Sequence, residues 1–217
     1  MISHSKPFSR QETQTLLGDV RALGRILGSP AGITLAQGFP PDESFRGRNE
    51  RLALILRKYT FEVLVPSELT VIRDAYGFTE RGQALELIEL DQRLQKGFRM
   101  PAFAAASVQT GQRQLIQLKP LRDHRVVQKY IRSVDSGEAK GWHTVVYGLT
   151  LAVYSLPLVE GVLNYAEQTL FGLAGAATAG HGCNGDSAEK ILRPLLGELP
   201  AFIAETARCS ATLRSLS

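Results

Sequence analysis

Apolar residues recur along this chain at the three-to-four-residue spacing of helices. Sustained apolar–polar alternation between hairpin turns, the mark of a half-buried strand, is missing. Leu16, Leu17, Val20, Leu23 and Leu27 share one stripe. Ser9 and Glu12 open it at capping-box spacing, and Gly28-Ser29-Pro30 closes it. Leu52, Ile55, Leu56, Tyr59 and Val63 form the next stripe, expected to stop at Pro66. Ser67 would then cap a short helix carrying Leu69, Ile72 and Tyr76. Thr79 is expected to cap a helix with Ala84, Leu87, Ile88, Asp91 and Leu94 on its inner face.

Pro101 suits the first turn of a further helix, running to about Leu118 before Pro120. Asp123 is expected to cap the next, with Val126, Val127, Tyr130, Ile131 and Val134 inside and Ser136-Gly137 at its end. Four helices complete the series: Trp142 to Leu156, Pro157 to about Thr178, Ser187 to Leu196 with Ser187 as cap, and Pro200 to about Ala207. Residues 29–47, rich in glycine and proline, read as a loop. No repeat of fixed period is visible. The pattern predicts an all-α fold: one helical-bundle domain of about eight to ten helices over residues 9–207. A flexible N-terminal tail (1–8) and a C-terminal tail (208–217) flank it.

At 217 residues such a domain buries a sizeable core without disulfides or metals. Two cysteines, Cys183 and Cys209, make no disulfide framework, and no charged-then-apolar leader opens the chain, so a cytoplasmic location is expected. Basic residues exceed acidic ones, 25 to 21, with a pI near 9.2. The surplus reads as scattered, with Arg21, Arg25, Arg46, Arg48, Arg51, Arg57 and Lys58 in the first third. A solvated face or an acidic partner surface accounts for it, and nucleic acid is not expected. Trp142 to Val159 holds no Asp, Glu, Lys or Arg over eighteen residues, the threshold length of a membrane span. His143, Thr144, Thr150, Ser155 and Pro157 within it favour a buried core helix, and no membrane association is expected.

Candidate chemistry is sparse. His181 and Cys183 stand one residue apart, and imidazole and thiolate suit nickel or zinc. A closed site needs about four ligands, whereas the chain has two cysteines and four histidines in all. The plain reading of Gly180 to Cys183 is a glycine-rich turn between helices. The same pair could instead serve a small all-α enzyme or binding module through an activated thiolate. Phosphate-cradling and nucleophile-elbow motifs are absent, and Glu86/Glu89 and Asp42/Glu43 read as surface charge. Gly111, inside a helix, costs up to about 1 kcal/mol against alanine, which close approach of another element would justify.

Two stretches carry a resemblance. Leu90-Asp91, Leu94, Pro101, Ser107, Gly111, Arg113 and Leu115 follow one order. His143, Val145, Tyr147 and Gly148, then Leu156-Pro157-Leu158-Val159-Glu160, then Gly175-Ala176-Ala177, follow a second. Together, over roughly residues 85–197, they resemble the urease accessory protein F (UreF) family. The resemblance implies an all-helical, non-catalytic adaptor in urease maturation and nickel insertion, with no cofactor or metal of its own. It also implies a homodimer that joins a UreD (UreH)-type accessory protein and a UreG-type GTPase on apo-urease. His143, Tyr147, Gly185, Asp186 and Arg214 are the partner-binding candidates that it suggests.

His143 equally reads as a core histidine whose ring nitrogens are satisfied internally. The small-residue run Gly161, Gly172, Ala174 to Ala177 reads as close helix packing or as a dimer face. The chain departs from the family pattern at Gly32 to Pro40, where little remains of the N-terminal motif. It departs again at Ala179 in place of arginine, at Gly185-Asp186 in place of Gly-Gln, and in the shortened end Leu213 to Ser217.

Overall fold

The computed structural model describes residues 15–28, 48–97, 101–181 and 185–214. Among them the regular elements are α1 (Val20–Gly28), α2 (Arg48–Tyr59), a π-helical stretch (Thr60–Leu69), α3 (Thr70–Glu80), α4 (Ala84–Gly97), α5 (Pro101–Leu118), α6 (Arg125–Asp135), α7 (His143–Val153), α8 (Leu158–His181) and α9 (Gly185–Arg214). The all-α expectation holds, with no strand among the described residues.

The charge-free run after Trp142 supplies the axis of the bundle. Every residue from Gly141 to Leu151 is buried, as a helix apolar on all sides requires. Tyr147 and Leu151 face a first core built from α1, α2, the π-helical stretch, α8 and α9. Val145, Val146 and Leu149 face a second, built from α4, α5, α6 and Ala75 of α3. Among the described residues no helix is long and apolar enough to cross a membrane.

Close crossings set how these helices meet. Gly24 of α1 sits against the Thr169 carbonyl of α8, and Gly172 of α8 sits against the Arg21 carbonyl of α1, backbone to backbone. Gly148 of α7 likewise meets the Ile72 carbonyl of α3. The close-packing reading of the small-residue run is thus met at Gly172, and Ala174 and Ala177 are buried. Gly175 faces open space.

Several expected boundaries move. Pro66 does not stop α2, and Ser67 caps nothing, because the chain stays helical from Arg48 to Glu80 through the π-helical stretch. Proline lacks an N–H and its ring crowds the carbonyl four residues back, and the wider π winding eases that crowding. Thr79 lies inside α3, its hydroxyl donating to the Ala75 carbonyl at 2.7 Å. His124, not Asp123, caps α6: its ring accepts from the Val127 N–H. The first stripe breaks at Gly18 (φ +88°), and the Asp19 carboxylate accepts from the Ala22 N–H to start α1.

The two helices expected after Ser187 are one, α9, which contains Pro194 and Pro200. Both prolines are exposed, and Leu192, Leu195 and Leu199 are buried in the first core beneath them. Burial of that apolar stripe outweighs the local cost of proline.

Candidate functional site

The two stretches that carry the resemblance meet at the start of α7. An inner-face position on α4 puts Asp91 among apolar neighbours, fully buried. Its carboxylate accepts four hydrogen bonds: Oδ1 from the Lys140 N–H (2.6 Å), Oδ2 from the Tyr130 hydroxyl (2.5 Å), the Gly141 N–H (3.0 Å) and the Trp142 N–H (3.2 Å). A single side chain thereby ties α4, α6 and the entry to α7. Its negative charge stands at a helix N-terminus, where the backbone dipoles favour it. Burial, with the Asp91 charge adding, pushes the Tyr130 hydroxyl well above its ordinary range, so it stays a donor.

α5 closes the same junction. Ser107 Oγ accepts from the His143 N–H at 3.3 Å, and Gln112 Nε2 donates to the Lys140 carbonyl at 3.0 Å. Gly111 is the reason α5 comes so near. A Cβ there would run into the Gly141 carbonyl and lie 2.8 Å from the His143 nitrogen. The expected close approach is real, and the approaching element is the turn into α7.

His143 turns the other way, into the first core. Its Nε2 lies 3.0 Å from the Leu17 carbonyl, which can only accept, so Nε2 carries the proton. Nδ1 is buried and has no partner among the described residues. Desolvation lowers the ring pKa to about 4, so the imidazole is neutral at pH 7. Tyr147 and Tyr165 flank it at 5.8 and 5.9 Å between ring centroids. The Tyr147 hydroxyl donates to the Gly161 carbonyl (2.9 Å) and accepts from Asn164 (3.2 Å).

Beyond Tyr165 stands a second buried carboxylate, Glu68, in the π-helical stretch. Its oxygens accept from the hydroxyls of Tyr59 (2.6 Å) and Tyr165 (2.9 Å). Desolvation raises its pKa, and the two tyrosine hydrogen bonds oppose that shift.

Of the five candidate partner residues, His143 and Tyr147 come together, 0% and 1% exposed. Burial selects the core alternative for the His143 ring, with one nitrogen satisfied rather than both. Gly185 and Asp186 open α9 and Arg214 ends it. Their surroundings lie outside the described residues, as do those of His181. Cys183, the Ser9/Glu12 capping box, the 1–8 tail and residues 29–47 lie outside them too. Among the described residues no group of three or more potential ligands could hold a metal.

Sequence reasoning placed Asp91 on an inner face without assigning it work, and passed over Glu68. The signal in both cases was a lone carboxylate on an apolar stripe, Asp91 beside Leu87 and Ile88, and Glu68 beside Leu64 and Leu69. Chemically this arrangement holds helices in place. The Asp91 oxygens are occupied, the imidazole is neutral, and each group lies inside packed helices. A family model described as UreF matches residues 48–192, more than half of the chain. No curated protein and no solved structure matches it.

Proposed function

Since the chain belongs to the UreF family of urease accessory proteins, we propose that it acts in urease maturation as a non-catalytic adaptor and chaperone. In this reading a cytoplasmic homodimer joins a UreD (UreH)-type protein to a UreG-type GTPase on apo-urease, with nickel as the cargo. Gly185, Asp186 and Arg214 are its proposed contact points at the ends of α9. His143 and Tyr147 influence docking from within, through the helices they hold.

The observation that carries the reading is the junction at α7. The motif residues of both family-like stretches, Asp91, Ser107, Gly111 and His143, are engaged in fixing one helix relative to its neighbours. A rigid bundle that presents fixed surfaces is what an adaptor needs. Coupling nickel release to nucleotide state further requires that the assembly bind the GTPase's nucleotide forms unequally, since equal affinity shifts no equilibrium.

Size exclusion with light scattering, on the chain mixed with its UreD- and UreG-type proteins, tests this. One co-eluting complex containing two copies of the chain is the expected result. A chain that elutes alone under every nucleotide and nickel condition would overturn the adaptor reading.

A further inference from the structure

One short segment of this chain is densely basic. Between residues 119 and 132 lie five basic residues, Lys119, Arg122, Arg125, Lys129 and Arg132, and one acidic residue, Asp123. This segment of fourteen residues carries a net charge of +4. The first third carries its own basic residues, and two of them are paired with acidic ones. There, Arg25 pairs with Asp19 at 3.1 Å and Arg57 pairs with Glu198 at 3.0 Å.

The fold turns the run into a face. α6 buries Val126, Val127, Tyr130 and Ile131, which leaves Arg125, Lys129 and Arg132 on the opposite stripe at i, i+4 and i+7. Lys119 and Arg122 lie exposed in the turn that leads into α6. Only Lys129 is half-buried, and the other four are exposed. The turn is braced: Gln128 Nε2 donates to the Leu121 carbonyl at 3.1 Å, and the Arg122 N–H donates to the Pro120 carbonyl at 2.9 Å. Among the described residues none of the five cations makes an ion pair. Five like charges held close together, with Asp123 the one acidic residue among them, repel one another, and an acidic surface would relieve that repulsion.

We propose that this face, α6 with the turn before it, docks an acidic patch on a protein partner. In assigning that partner to the maturation complex, the inference rests on the adaptor reading above. A second copy of the chain does not fit, because two such faces repel. Single-stranded nucleic acid is recognised largely by stacking on exposed aromatics, and the segment's one such ring, Tyr130, is buried. Instead Ile116, 56% exposed, stands one turn before Lys119. An apolar side chain beside polar and charged ones matches the mixed surface of protein interfaces.

The test uses the full chain as wild type, as the triple variant R122E/R125E/R132E, and as a control of equal net charge, R81E/K190E/R193E. Circular dichroism checks that each folds. Each is titrated with poly-L-glutamate, with a DNA duplex and with the two accessory proteins, at low and high salt. The expected result is a loss of at least about tenfold in affinity for polyglutamate and for one accessory protein in the first triple alone, with wild-type binding weakened by salt.

Equal loss in both triples would assign the effect to bulk charge and overturn the proposal. Unchanged binding of the first triple to the accessory proteins would overturn it and leave the adaptor reading standing. Wild-type preference for the duplex over polyglutamate, lost in the first triple, would overturn it in favour of nucleic acid. Face-dependent polyglutamate binding with neither accessory protein bound would sink the adaptor reading and keep the acidic-protein face.

Discussion

Among the described residues two carboxylates are buried, and they are held in opposite ways. Asp91 receives three backbone N–H groups and one hydroxyl at a helix N-terminus. Glu68 receives two tyrosine hydroxyls inside a π-helical stretch, with no backbone donor among the described residues. Backbone donors have no alternative partner once buried, so removing Asp91 strands them. Tyrosine hydroxyls rotate, and neutralising Glu68 leaves acceptor oxygen in place. The first carboxylate therefore holds the fold, while the second is an expensive occupant of the core whose charge the fold resists.

The largest effect should come from Asp91→Ala. Stranding three N–H groups and the Tyr130 hydroxyl should lower stability by about 4 kcal/mol. The measure is the urea midpoint. A loss of less than about 1 kcal/mol would show that water replaces the carboxylate and would erase the contrast with Glu68.

Next is the pH response of His143, which lies between the two carboxylate clusters. Its folded pKa, about 4, lies below the ordinary 6.5. From pH 6.5 down to about 4 the unfolded chain takes up a proton that the folded ring refuses, so stability falls on acidification. The fall should be roughly 3 kcal/mol and level off below pH 4. In His143→Gln, whose amide can still donate toward Leu17, this component should vanish, as denaturation across that range would reveal. An identical slope in both proteins would mean that the ring titrates freely.

Gly111→Ala sharpens the Asp91 side of the comparison. The added Cβ meets the Gly141 carbonyl and the His143 nitrogen, in the turn where Asp91 holds the Gly141 N–H and Ser107 the His143 N–H. A net loss of about 2 kcal/mol is expected even after alanine's helix preference is counted. Thermal melting checks it, and an unchanged or raised melting temperature would mean that the turn into α7 yields easily.

Glu68→Gln should be the mildest, within about 1 kcal/mol at neutral pH, because one tyrosine keeps an acceptor. Its pH dependence runs against that of His143. Glu68 has a raised folded pKa, so its contribution is fully present below the ordinary 4.5 and is lost as pH rises through the folded value. The stability difference between wild type and Glu68→Gln should therefore shift toward wild type on acidification. A shift toward the variant would reverse the assignment.

Much of this molecule was legible before any coordinate. The helical class, the stripes of α4 and α6, and the buried run after Trp142 follow from local periodicity, because a helix must bury its apolar face whatever covers it. The need for close approach at Gly111 was also legible, since a glycine within a helix asks for a reason. The family-like order of residues pointed to the right family without saying why those residues recur.

What only the tertiary structure decided is where non-local partners stand. Asp91 and Trp142 are hydrogen-bonded across the chain, and no spacing rule reports that pairing. The persistence of helix through Pro66, Pro194 and Pro200 likewise depends on burial and altered winding, which outweigh a local penalty. The division of buried groups into one held by backbone donors and one held by hydroxyls was set by what the packed helices brought within reach. A sequence states each group's capacity to bond, and only the closed fold determines whether that capacity is met.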